Sequence, residues 1–308
     1  MSPNRESETG AALVWVVWIL IVLSGLALAT MRLAATSYKS AAIDVARAEA
    51  RHLAEAGIHR AVADILANSR GRDLPKNRSY RIFESNVAVS IRHEAGKINL
   101  NRAGERLLAA AFAANGVEEA EAEALAARIV DWRDTDDLPR PNGAEFLQYR
   151  RAGYAYEPRN GPFETVGELL QLLGMTRELY TCVRPALTVY SSGAEPVDAY
   201  APKPVREIYQ WAETAQWFAR EDGSSRPRRS LMNPNRGRAG AAVEITATAE
   251  SRDVPVSVRA ILRLTGDRRE PFQLLSLREI YKRSGSLGCE RNGKALADTH
   301  QLSEAEFD

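Results

Sequence analysis

From Ala11 to Ala29 the chain reads AALVWVVWILIVLSGLALA, an uncharged and almost wholly apolar run broken only by Ser24 and Gly25. At about 1.5 Å rise per residue, a helix of that length crosses the roughly 30 Å hydrocarbon core of a bilayer. The run is therefore a membrane-span candidate. Before it stands a short polar stretch, MSPNRESETG, in which Arg5 is opposed by Glu6 and Glu8, unlike the plainly basic start of a secretory signal. Ala27-Leu28-Ala29 does match the small-x-small pattern of signal cleavage, so release at Ala29 is a rival expectation. Arg32 and Lys39 weigh against it, because positive charge just past a span disfavours leaving that side outside.

From Met31 to about Asn68 there is no proline, and Ile43, Ala46, Ala50, Leu53, Ile58, Val62 and Ile65 recur at three- and four-residue intervals. Asp44, Arg47, Glu49, Arg51, Glu55, Arg60 and Asp64 fall largely elsewhere, which leaves one apolar and one charged face. Joined to the apolar run, this stretch predicts a single helix of roughly 55 to 60 residues, on the order of 85 Å long. Its packing positions are Ile43, Ala50, Leu53, Ile58, Val62 and Ile65. His52 and His59 share this helix, but with no carboxylate or cysteine pattern around them they read as surface residues.

Tyr80, Ile82, Val87, Val89 and Ile91 alternate with polar residues across a break at Glu84 to Asn86 and predict a short hairpin. At Gly96 the character changes. Asn99 and Asn101 can cap a helix over Glu105 to Ala114, with Gly116 to end it; further helices are expected over about Glu118 to Trp132 and Thr165 to Leu173. These helices resemble a helix-hairpin-helix or SAM-like module. The stretch from Glu221 to Arg238 reads as a loose linker. Strand patterns return at Val243 to Ala249, Val256 to Leu264 and Phe272 to Leu277, with a turn near Ser251 to Asp253. The tail from Ser284 is rich in Gly, Ser and charge.

Composition limits the functions. A net charge of +1 gives no general attraction to nucleic acid, and Glu105, Glu118, Glu119, Glu121, Glu123, Asp131, Asp134 and Asp136 would repel phosphates around the helical module. A membrane-tethered helix-hairpin-helix protein binding DNA during uptake is therefore the weaker alternative. No Gly-x-Ser-x-Gly, His-Glu-x-x-His or Gly-rich phosphate loop occurs, His93 and His300 stand isolated, and the expectation is that the chain is not an enzyme. Cys182 and Cys289 are the two cysteines, and the sequence does not say whether they meet.

The sharpest polar constellation is DWRDTDDLPRPNGAEFLQYRRAGY. Asp131, Asp134 and Asp136 stand at a helix end and in a proline-containing loop, and Glu145 follows Gly143, so several carboxylate oxygens can converge where carbonyls are also free. Calcium takes six to eight such oxygens in flexible geometry. The register is not that of an EF-hand, and a solvated acidic turn capped by Arg133 and Arg140 is the plainer alternative.

A polar leader ending in Gly10, the apolar span and the long helix together resemble the precursors of type IV pilins and pseudopilins. The resemblance implies that a prepilin peptidase cuts after Gly10 and methylates the new N-terminus, Ala11. Most members carry glutamate at the fifth mature position, where this chain has Trp15. The Asp-Trp-x-Asp-x-Asp pattern at Asp131, with Gly143-Ala144-Glu145 and Tyr149 after it, is similar to the K-type minor pseudopilins of type II secretion, which lack that glutamate and cap the pseudopilus tip. For this chain it implies calcium held by Asp131, Asp134, Asp136 and Glu145, with Asp137 a weaker candidate. The implied partners are other minor pseudopilins, packing along the Ile43 to Leu66 face, and the inner-membrane assembly platform. The implied location is the bacterial inner membrane, single-pass, with the large domain in the periplasm.

The expected fold is α+β: a long N-terminal transmembrane and amphipathic helix on a small antiparallel, pilin-like sheet, with an inserted all-helical domain. Its expected parts are the leader (1–10), the membrane segment (11–30), the amphipathic helix with the first strands (31–95) and the helical insert (96–190). An irregular linker (191–238), the remaining strands (239–283) and a mobile tail (284–308) complete it.

Overall fold

The computed structural model describes residues 8–67, 77–219, 240–280, 290–291 and 294–295. Helix α1 (Glu8–Ala67) runs unbroken for 60 residues. Its apolar segment is exposed from Leu13 to Leu33, Trp15 included, and is long and apolar enough to cross a membrane. Leader residues 1–7 and the tail's side chains lie outside the described residues.

Past the apolar segment α1 acquires a buried stripe of Ala46, Ala50, Ala54, Ile58, Ala61, Val62 and Ile65, which follows the helical repeat along one face. The alanines bring the helix backbone close to a sheet. At Gly57 the approach is closest, since a Cβ there would lie 2.6 Å from Val87 Cγ1. Leu53 packs partly buried against the same core. Ile43 departs from the expected packing set: it is 56% exposed, because the sheet reaches only as far down the helix as Ala46. The face expected to receive partner helices is thus occupied from Ala46 to Ile65 by the protein's own sheet.

That sheet contains β1 (Asn77–Ile82), β2 (Ser85–His93), β5 (Ala242–Ser251), β6 (Val254–Leu264) and β7 (Phe272–Ile280), antiparallel in the order β1-β2-β5-β6-β7. Alternation puts Val87, Val89, Ile91, Val243, Ile245, Ala247, Val258, Ala260 and Leu262 against α1. The β5–β6 turn uses Arg252 and Asp253 with φ of 47° and 64°, as a two-residue hairpin with right-handed strand twist requires. Ser251 and Arg252 reach down to Glu49 at 2.8 and 3.2 Å, and Glu279 of β7 pairs with Arg47 at 2.7 Å. This end of the sheet faces the apolar segment.

The opposite end carries the insert. β2 and β5 are neighbours, with His93 paired to Val243, yet the whole of residues 94–241 lies between them. The insert contains α2 (Glu105–Ala113), α3 (Glu119–Arg133), α4 (Phe146–Arg151), α5 (Arg177–Val183) and α6 (Lys203–Thr214). It is not all-helical: β3 (Ile98–Asn99) pairs in parallel with β4 (Leu187–Thr188). The helix expected over Thr165 to Leu173 is a 3-10 segment, Val166–Gln171, opened by a Thr165–Glu168 capping box. Residues 191–219 are not an irregular linker, since α6 buries Val205, Ile208, Tyr209 and Ala212 in the insert's core; residues 220–239 lie outside the described set. Of the tail, Glu290–Arg291 and Lys294–Ala295 pair antiparallel as β8 and β9. Cys182, on α5, is disulfide-bonded, with its partner outside the described residues.

Insert and sheet are joined by buried charge. Lys97 Nζ lies 2.7 Å from Glu94 Oε1 and 3.0 Å from Glu244 Oε2 on β5, and Thr188 donates to the second Glu94 oxygen. Burial pushes Glu244 up, but Lys97 and Arg259 more than offset it and hold its carboxyl below the ordinary value. His93 stacks on Tyr200 at 3.8 Å, and a Cβ on Gly96 would meet Tyr200 O at 2.0 Å. The two bodies are therefore fixed to each other by contacts that admit little adjustment.

Candidate functional site

The acidic constellation is built around the end of α3. Trp132 stacks on Phe163 at 5.8 Å and lies 6.2 Å from Tyr149, whose hydroxyl accepts from the Leu173 N–H; together these rings form the floor of the site. The loop after α3 folds back over that floor because Asp131, fully buried, accepts from the Arg140 N–H at 3.2 Å and from the Ala144 N–H. Asn142 supplies a left-handed turn at φ 64°, and Gly143 is required, since a Cβ there would lie 2.0 Å from Asp131 Oδ2. Burial raises the Asp131 pKa above the usual carboxylate value.

Each expected ligand has a definite place. Asp134 ends α3 and has one buried oxygen, Oδ1, without a hydrogen-bond partner; burial, then Asp136, raises its pKa. Asp136 caps the Leu138 N–H at 2.9 Å, and Asp137 accepts from Asn160 Nδ2 at 2.7 Å. Glu145 precedes α4, with its own N–H held by Gln148 Oε1 at 3.0 Å. Glu145 is 3% exposed; its carboxylate faces the Gln148 N–H in a capping box, but neither oxygen comes within hydrogen-bond geometry of a donor. Burial, followed by Asp131, Asp134, Asp137 and Asp136, pushes Glu145 from 4.5 to about 7. Beside it an open depression of about 480 Å³ is lined by Asp137, Glu145, Phe146, Glu157 and Asn160.

Among the described residues no three of His, Cys, Asp or Glu are close enough to hold a metal ion as they stand. The donor set nonetheless fits a hard cation. Besides the donor Trp132 Nε1, four buried acceptors here have no hydrogen-bond partner, Asp134 Oδ1, Glu145 Oε1, Glu145 Oε2 and Asn160 Oδ1, and such atoms are rarely left without a donor or an ion. Asn160 was not among the ligands expected from sequence; only its position at φ 50°, beside the folded-back loop, brings its amide into the group.

Asn99 and Asn101 do other work than expected. The residue preceding α2 is Gly104, with no side-chain cap. Asn99 Oδ1 accepts from the Asn101 N–H, and its amide donates to Ser191 O. The Asn101 amide and the Phe163 backbone exchange two hydrogen bonds of 2.8 and 2.7 Å. The pair thus ties the start of the insert to the loop under the acidic site and to the exit strand.

The second half of the first sheet layer and most of this insert, residues 88–192, match the family described as type II secretion system (T2SS), protein K. The matched stretch contains every expected cation ligand and both asparagine ties. Among curated proteins the chain is similar to a type II secretion system protein K from Klebsiella pneumoniae, 27% identical over 203 residues, covering 59% of the chain. The chain spans 62% of the length of that relative. Among solved structures it is similar in fold to the GspK-GspI-GspJ complex of the type 2 secretion system from enterotoxigenic Escherichia coli. The TM-score is 0.54 at 14% identity, covering 80% of this chain and 98% of that one. The arrangement around the matched stretch, a long apolar-ended helix on an antiparallel sheet, is the α+β pilin-like one.

Proposed function

We propose that the chain is a minor pseudopilin of type II secretion that caps the pseudopilus tip and helps to start its assembly for export across the outer membrane. The observation that carries this reading is the position of the insert, most of which matches the protein K family. It leaves the sheet at His93 and Val243, at the end opposite the turn that rests on Glu49, so its bulk lies over the end of α1 farthest from the apolar segment. A subunit adding beyond it would have to share that space. The function is then geometric, with no catalytic group required. The partners on this reading are other minor pseudopilins and the inner-membrane assembly platform, α1 is the single-pass anchor, and the insert lies in the periplasm. Processing after Gly10 by a prepilin peptidase, with methylation of Ala11, belongs to the same proposal.

Replacing residues 94–241 by a short turn tests it. β2 and β5 already pair at that point, so the shortened chain is expected to accumulate in the membrane while pseudopili grow longer and cargo release falls. Unchanged filament length with the insert gone would overturn the capping role.

Trp15 gives a second handle. In a shaft subunit a glutamate at this depth neutralises the buried N-terminal amine of the subunit above; a terminal subunit has no amine to meet. A Trp15→Glu variant is then expected to carry an unmatched charge in lipid, at a cost on the order of a few kcal/mol. Tip function should fall. Unimpaired secretion and unchanged membrane extraction would remove Trp15 from the argument.

Calcium is part of the proposal as a structural ion. Asp134 and Glu145 would hold it through the buried oxygens that have no donor, with Asp131 and Asp136 shaping the loop, and the ion would supply the positive charge that this carboxylate group lacks.

A further inference from the structure

The face of the sheet turned away from α1 carries a charge pattern that the capping role leaves unused. Since Val243, Ile245, Ala247 and Ala249 point into the core, Glu244, Thr246, Thr248 and Glu250 point to the other side. The register lays Arg92 beside Glu244, Arg259 opposite both Thr246 and Arg278, and Arg263 opposite Gln273. Arg259 and Arg278 are like charges at directly opposed positions, a pairing that destabilises an isolated sheet. Arg259 sits 3.7 Å from Glu244, but that carboxylate is already engaged by Lys97 at 3.0 Å. The side chains of Arg92, Arg263 and Arg278 make no hydrogen bond or ion pair among the described residues.

Apart from Gln273, the neutral residues on this face are small or apolar. Ser90, Thr246, Thr248 and Ser257 leave it flat enough for close approach, and Ile261 stands partly exposed near its centre. β2, β5, β6 and β7 contain no lysine, so the positive charge here comes from arginine. Protein interfaces are enriched in arginine and depleted in lysine, and the planar guanidinium fork matches a carboxylate with two parallel hydrogen bonds. A strongly hydrated polyanion would gain nothing from Ile261 and the small hydroxyl residues.

We propose that this outer face, with Arg92, Arg259, Arg263 and Arg278 around Ile261, docks a carboxylate-bearing surface of a partner protein. The contact lies on the side of the sheet away from α1, so it is compatible with helix-to-helix packing in the membrane and independent of the cation site. It goes beyond capping, which needs only the insert.

The test uses the full chain in the membranes of cells that carry the secretion apparatus. A photo-reactive side chain at Ser276, opposite Ile261 on this face, is expected to cross-link to an Asp- or Glu-bearing peptide of another protein. Arg263→Glu with Arg278→Glu should lower the adduct yield by about ten-fold or more, and reversing the partner's acidic residues to arginine should restore it. Arg278 is exposed and Arg263 half-buried, and neither has an ion pair among the described residues, so the variant should accumulate and melt as the parent does. The proposal is overturned if no adduct forms, if the yield is indifferent to the charge reversal, or if the adduct joins two copies of this chain through the acidic insert.

Discussion

Lys97→Met is expected to destabilise the protein by about 3–5 kcal/mol, because it leaves the carboxylates of Glu94 and Glu244 buried with their shared cation removed. Arg259, at 3.7 Å from Glu244, compensates only one of the two. The loss should appear in denaturant unfolding of the detergent-solubilised chain as a lower midpoint with cooperativity split between insert and sheet, since the lysine joins the two. A triple variant, Glu94→Gln with Lys97→Met and Glu244→Gln, should recover much of the stability, because neutral groups of the same shape remove the uncompensated charge. If Lys97→Met alone unfolds like the parent, the junction is held by packing of His93, Gly96 and Tyr200 and not by charge.

The second large effect is expected at Glu145. Its carboxyl titrates near 4.5 when unfolded and about 7 when folded, so the folded chain binds the extra proton in that interval. The contribution of Glu145 to stability without divalent cations should therefore be fully present below about pH 4.5 and be lost as the pH rises through 7, by at most roughly 3 kcal/mol. Calcium reverses the sign. It binds the ionised form, so its stabilisation should grow over the same interval, reaching about 2.7 kcal/mol at a hundred times its dissociation constant, and its binding should release a proton. Glu145→Gln should flatten the metal-free pH profile and abolish the calcium response. Thermal unfolding at pH 5 and pH 8, with chelator or calcium, distinguishes these outcomes; a calcium response that survives Glu145→Gln would place the ion elsewhere.

Much of this architecture was legible because it rests on period and punctuation. The apolar run and the alanine-rich repeat after it gave α1, and alternation gave β1, β2, β5, β6 and the start of β7, down to the turn at Ser251 to Asp253. The errors have local physical causes. Ile43 continues the helical apolar pattern, but the sheet's length, which no local pattern encodes, ends at Ala46. Val166 to Gln171 opens with a Thr165–Glu168 capping box, as a helix start would, but runs as a 3-10 segment and ends at Leu172, which is in extended conformation. Lys203 to Thr214 was hidden by Pro202 at its N-cap and Pro204 in its first turn, which open the helix instead of excluding it. Within the acidic site, residue types and loop position were readable from sequence, whereas the loss of every donor to Glu145 and the arrival of Asn160 depend on a fold-back between distant segments.

The adjacency of His93 and Val243 also bears on how the chain reaches its native state. Bringing the two together from a disordered chain means closing a loop of roughly 150 residues, an entropic cost of about 4 kcal/mol. If the insert folds first, Ile98–Asn99 and Leu187–Thr188 already lie side by side and the chain as far as Trp217 packs on the same core, which shortens that closure to roughly 30 residues. The order of events then has a natural direction: insert, then β2 with β5, then the sheet onto α1. Damage deep in the insert's core, at Leu125 or Ile208, should slow the pairing of strands that it never touches.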